Sequence, residues 1–240
     1  MSSDWLNGDL LGFDLETTGV NLFEDRPVSF ALVSYRGGAK IGSSYQLVNP
    51  GIPIPPAATA IHHITDRMVQ ADGMQLDQAI ACCCEALCEA SAENVPVVGM
   101  VLRFDFTIVG NLDQMRGHCG LQAPQWHGPV LDVSLIDKRL DKWRKGRRTL
   151  PDLCTEYGVD FGIDDAHDAL SDATASVEVL LALARRYPVL GHTDLATITS
   201  RQAELHKENL VDLNEYRLRR GQTPIAESEI SDSWPVATRN

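Results

Sequence analysis

The sequence predicts an α/β fold in which a mixed five-stranded sheet is flanked by helices and followed by a helical appendage. Three observations carry this. Apolar runs at residues 10–15, 27–35 and 40–48 follow one another with short connections, so the sheet opens with three antiparallel strands. Two further apolar runs, 94–99 and 130–132, then alternate with helix-length segments, and that alternation after an antiparallel start implies a mixed sheet covered by helices. After Pro188 the composition turns polar and helical.

Each element has a local reason. The first run ends at Thr17-Thr18-Gly19, a strand entering a turn. Strands 27–35 (PVSFALVSY) and 40–48 meet through Gly37-Gly38, a hairpin signal. Residues 49–56 (NPGIPIPP) hold four prolines and read as a surface loop. Residues 66–71 suit one short helix and 76–92 a longer one. A helix is expected over 104–118 in spite of its β-branched residues, another over 134–143, and a third over 149–157 that stops at Gly158. Residues 168–187 are Ala- and Leu-rich, apolar at i, i+3 and i+4, and halted by Pro188. The division expected is a domain over 1–190 and a C-terminal helical segment with a tail over 191–240, the helix covering 194–220.

A chain of 240 residues, 44% hydrophobic and 22% charged, can bury a core without disulfide or structural metal. Residues 1–14 lack a basic leader, and no apolar run nears the ~20 residues of a spanning helix, so no membrane association is expected. The six cysteines, at 82, 83, 84, 88, 119 and 154, match neither a disulfide framework nor a zinc spacing. They read as small buried residues in a reducing, cytoplasmic setting. The net charge of −12 is unusual for a protein that meets phosphates. However, seven of the 21 basic residues fall within 138–148 (KRLDKWRKGRR). This stretch has two readings, a solvated helix end or a phosphate-tracking edge with Trp143 available to stack on a base.

Asp14 and Glu16 lie two apart on the first strand and therefore share a face. Two adjacent carboxylates repel unless a cation lies between them. Asp105 follows a buried-type strand at the start of a helix, where a carboxylate is stabilised by the helix dipole. Asp172 sits one turn into the helix over 168–187, beside Ala169 and Ala173, on the side expected to face the sheet. His167 precedes that helix.

The order FDLETTG, RFD, HDALSDA resembles the DEDDh 3′→5′ exonucleases, in particular the group similar to the DNA polymerase III epsilon subunit, over roughly residues 8–187. The segment GIPIPPAATAIHHITDRMV is similar to that group's proline-rich and IHxIT region. The resemblance implies an RNase H-like fold and hydrolysis of the terminal phosphodiester of single-stranded nucleic acid, DNA favoured over RNA. It implies two Mg²⁺ (or Mn²⁺) ions held by Asp14, Glu16, Asp105 and Asp172, with His167 as general base. Thr17, Thr18, His62 and Phe104 are the implied contacts to the terminal nucleotide. A DNA polymerase or another replication or repair protein is the implied partner. Val101 stands where the family commonly has asparagine, and Arg103 is the one nearby group suited to a phosphate. Two other readings remain: the same chemistry on RNA or short oligonucleotides, and a catalytically silent domain that binds a partner.

Overall fold

A computed structural model of the chain describes residues 5–116, 126–162, 167–230 and 233–238. A short 3-10 turn, Trp5–Asn7, leads into β1 (Asp9–Thr17), β2 (Pro27–Arg36) and β3 (Ala39–Asn49). The helices α1 (Pro56–His62) and α2 (Asp66–Asp72) follow, then β4 (Met74–Gln75), α3 (Leu76–Ala92), β5 (Val97–Gly99) and α4 (Arg103–Arg116). After β6 (Val130–Asp132) come α5 (Val133–Leu140), α6 (Leu150–Tyr157), α7 (Ala169–Arg186), α8 (Val189–His192), α9 (Leu195–Arg219) and α10 (Glu227–Ile230). No helix among the described residues is long and apolar enough to cross a membrane.

The sheet order is β4-β3-β2-β1-β5-β6. β1 pairs antiparallel with β2, and β2 with β3, whereas β5 joins β1 and β6 joins β5 in parallel. The expected mixed sheet is present with one strand more than five: β4, two residues long, pairs in parallel with the end of β3. Two residues with no apolar alternation leave no strand pattern to read. The expected loop over 49–56 is a loop only as far as Pro55. α1 begins at Pro56, where a missing N–H costs a helix nothing because the first turn has no partner for it. The helix expected over 104–118 begins one residue earlier and runs to Arg116; His118 lies outside the described residues. The helix expected over 134–143 spans Val133–Leu140, because Asp132 caps it by accepting from the Ser134 and Leu135 amides.

One face of the sheet packs on α7, with Ala31, Val33, Val98, Ala173, Val177 and Leu180 in one buried cluster. The other packs on α3 and α4 through Phe13, Phe30, Ile80, Leu87, Phe106 and Val109. Cys83 and Cys84 are buried thiols in this second cluster, as small apolar residues would be. β1 lies near the middle of the sheet, bounded on both sides. At Gly12 the approach of α7 is close: an added Cβ would lie 2.9 Å from both the Ala173 carbonyl oxygen and Val177 Cγ2.

Candidate active site

Gly12, Asp14 and Glu16 alternate onto the face of β1 that meets α7, so the two carboxylates point at the helix that carries Asp172. The ladder to β2 shifts register between Glu16 and Thr17, and the paired strand ends just beyond the acidic residues. Asp168 caps α7 by accepting from the Ser171 amide and hydroxyl, which sets Asp172 in the helix's first turn. His167, just before the cap, adopts φ 67° in an exposed turn, with its amide facing the Asp172 carboxylate. The side-chain ligand atoms of Glu16, His167 and Asp172 all lie within 4.8 Å of one another. Asp105 enters from α4, where its Oδ1 accepts the Leu15 amide at 3.2 Å, between the two acidic residues of β1.

The cluster is electrostatically frustrated. Burial, followed by the charges of Asp105, Asp172 and Glu16, raises Asp14 well above the ordinary carboxylate range. Burial and then the charge of Asp172 push Glu16 up to about 8. Burial lifts Asp172 to about 7 although the His167 amide opposes the rise. Asp105 is also held well above its usual value, by burial, against the pull of its own amide and that of Leu15. Asp172 Oδ1 is buried with no hydrogen-bond partner among the described residues. Repelling carboxylates and an orphaned acceptor oxygen at the end of a strand fit a divalent cation, which takes oxygen ligands and would relieve both.

The four residues expected to meet a nucleotide differ in their freedom. Thr17 Oγ1 donates to the Gly19 carbonyl at 2.7 Å. Thr18 donates its hydroxyl to Asp25 at 2.6 Å and its amide to the Arg26 carbonyl at 2.9 Å. Phe104 is half-buried against the α3–α4 core. His62 is buried; its Nδ1 accepts the Ile64 amide at 3.0 Å, so the proton sits on Nε2, which faces the Thr17 backbone. Burial lowers its pKa, and the charges of His63 and His167 act in the same direction.

Arg103 does not stand free for a phosphate, because its Nε donates to the Ser233 carbonyl at 3.2 Å. The returning tail that supplies this carbonyl is 130 residues away in sequence, out of reach of local pattern. The basic stretch is also partly internal. Arg144 and Arg148 both pair with the buried Asp137, the former at 2.9 Å, and Tyr157 donates to the same carboxylate at 2.5 Å. Lys138 bonds Asn209 on α9. Arg139, Lys142, Lys145 and Arg147 remain exposed around Trp143, whose side chain is 86% exposed.

The family described as exonuclease (RNase_T) matches residues 11–180. The chain is 28% identical over 180 residues to the PolC-type DNA polymerase III of Lacticaseibacillus paracasei, a match covering 75% of this chain and 12% of that protein. It is 28% identical over 213 residues to the DNA polymerase III subunit epsilon-like protein of Rhodobacter capsulatus, covering 84% of this chain and 27% of that protein. The chain therefore spans a minor part of the length of these relatives. Among solved structures, E. coli Exonuclease I in complex with a dT13 oligonucleotide superposes with a TM-score of 0.63 at 22% identity, over 76% of this chain and 42% of that one. Exonuclease I from Methylocaldum szegediense superposes with a TM-score of 0.61 at 23% identity, over 77% and 42%. With three carboxylate-bearing elements meeting beneath a histidine turn on a sheet of this topology, the chain belongs to the RNase_T exonuclease family, in the DEDDh exonuclease superfamily.

Proposed function

We propose that the protein is a metal-dependent 3′→5′ exonuclease that hydrolyses the terminal phosphodiester bond of single-stranded DNA. The observation that carries this is the convergence of Glu16, Asp172 and His167 within 4.8 Å, beside the strongly perturbed Asp14 and Asp105. The name of the epsilon-like relative and the oligonucleotide bound in Exonuclease I support the choice of substrate and direction. A zinc-bound form of the E. coli Exonuclease I–ssDNA complex supports a divalent metal. A polymerase is the partner that the relatives' names favour. The exonuclease unit is taken as 1–190, with 191–240 as its docked C-terminal segment.

Asp14, Glu16, Asp105 and Asp172 would hold two Mg²⁺ or Mn²⁺ ions, which when bound stabilise the charge on the attacking and leaving oxygens of an in-line displacement. The residues of the chain do the rest. The three elements fix the carboxylates before substrate arrives, so little reorganisation accompanies reaction. His167, exposed in its turn, accepts the proton of the attacking water through its imidazole. Its ring lies within 4.8 Å of the Glu16 and Asp172 carboxylates, so the turn sets the base beside the acids. His62 Nε2–H, buried against the Thr17 backbone, is the donor this reading assigns to the terminal nucleotide.

The test is a degradation ladder. A 5′-labelled single-stranded DNA and a matching RNA are incubated with Mg²⁺, Mn²⁺ or EDTA, beside an Asp14→Ala/Asp172→Ala variant. Metal-dependent shortening from the 3′ end, faster on DNA and absent in the variant, is the expected result. No shortening with either metal would sink the proposal, and faster shortening of RNA would reassign the substrate.

A further inference from the structure

β6 is the last strand of the sheet, and side chains of α9, Gln202 foremost, do the work of a neighbouring strand along its free edge. Gln202 of α9 is only 3% exposed. Its Oε1 accepts the Asp132 amide at 2.7 Å, and its Nε2 donates to the Val130 carbonyl at 2.7 Å and to the Ile198 carbonyl at 3.2 Å. The Val130 carbonyl and the Asp132 amide are thereby satisfied, and Thr199 Oγ1 accepts the Val130 amide at 3.3 Å, in place of the ladder that an edge strand lacks.

Asp132, fixed in this way, turns its carboxylate towards the start of α4. Its Oδ1 accepts from Ser134, while Oδ2 accepts the Leu102 amide at 3.0 Å. The residue before Leu102 is Val101, which has φ 59°. A β-branched residue in the left-handed region is strained and persists only where its surroundings hold it there. Asp105 follows three residues after Leu102, with its carboxylate on the Leu15 amide. A continuous path of bonds and backbone therefore runs from α9, beyond the residues that match the family, to a carboxylate of the site.

We propose that Gln202 is a positioning residue for the nuclease site: by fixing Asp132 at the sheet edge, it holds the strained turn at Val101–Leu102 and so sets how Asp105 meets β1. The inference rests on reading Asp105 as part of the active site, and its first readout is independent of metal and of activity.

The experiment pairs Gln202→Met, which keeps length and removes both polar atoms, with Val101→Asn, since asparagine adopts the left-handed region readily. Amide hydrogen exchange over residues 100–106 is followed in the metal-free protein. In Gln202→Met it speeds up about tenfold, reporting local opening of the turn. On single-stranded DNA with metal, the same variant loses about tenfold in kcat with KM within about twofold, the mark of displaced catalytic groups. Adding Val101→Asn relieves the strain and restores both quantities to within about threefold, although the thermal midpoint stays lowered by the unpaired β6 groups. Val101→Asn alone slows exchange at the same amides, a readout that survives if Gln202→Met fails to fold. Unchanged exchange in either single variant, faster exchange with unaltered kcat, or a kcat loss that Val101→Asn leaves in place would each overturn the proposal and leave Gln202 a packing residue.

Discussion

The Leu15 amide donates to Asp105 Oδ1 at 3.2 Å, which threads a carboxylate from α4 between Asp14 and Glu16 through the backbone of the strand that bears them. Replacing Asp105 by asparagine keeps an acceptor for that amide and removes one negative charge from a crowded cluster. Activity on single-stranded DNA is expected to fall by about 10²-fold or more. In EDTA near pH 8 the same variant should melt higher than the parent, because like-charge repulsion has been reduced. Activity assays and thermal denaturation of the pair check both.

Glu16, at about 8, and Asp172, at about 7, titrate far above their ordinary values. The folded, metal-free protein therefore binds more protons than the unfolded chain between the two sets of values. Its stability falls as pH rises from about 4 through 8, while below the unfolded values the difference vanishes. A divalent cation requires the deprotonated forms, so its stabilising effect should be small near pH 6 and large near pH 8. Melting curves with EDTA and with MnCl₂ at both values check the sign; a metal effect that shrinks with rising pH would contradict it.

His167 occupies the left-handed region, which asparagine tolerates. His167→Asn thus preserves the turn and removes the imidazole. A loss of 10²- to 10⁴-fold in kcat is expected, with KM and metal affinity nearly unchanged. Single-turnover kinetics and metal titration separate these quantities.

Trp143 extends into solvent, with Lys142 Nζ 5.5 Å from its ring centre. If the exposed cations around it track phosphates, Trp143→Ala should raise KM for an oligonucleotide about five- to tenfold and leave kcat within twofold, in line with the loss of one stacked base. A dinucleotide substrate, too short to span from the site, should show no change.

Asp137 is fully buried and shared by Arg144, Arg148 and Tyr157. Asp137→Ala leaves two guanidinium groups without their partner and should cost about 3–5 kcal/mol. Urea unfolding measures it, and a loss under about 1 kcal/mol would mean that solvent satisfies both arginines.

The parts of the fold that the sequence discloses are those written in local pattern. The bounds of α3 match the expected 76–92 residue for residue, and α7 and its cap follow from apolar spacing, Asp168 and Pro188. The pairing of Asp14 with Glu16 on one face needs only strand alternation. What escaped depends on burial and on groups that only folding brings together. Arg103 is engaged by a carbonyl 130 positions on, and Arg144 and Arg148 by Asp137, whose burial no local pattern announces. Val101 reads as one more apolar residue. Its left-handed backbone, which gives a physical reason for the family's asparagine there, appears only in the folded turn.

At Gly12 the main chain of β1 meets both main chain and side chain of α7, the Ala173 carbonyl and the Val177 methyl. The spacing between the acidic strand and the acidic helix is therefore set in part by a carbonyl that every sequence shares and in part by a valine methyl. Exchange of Val177 could ease one of these approaches, but no exchange removes the carbonyl, so position 12 must carry no side chain. A lineage could redesign most of its interior and keep its chemistry, but it could not accept one methyl group here.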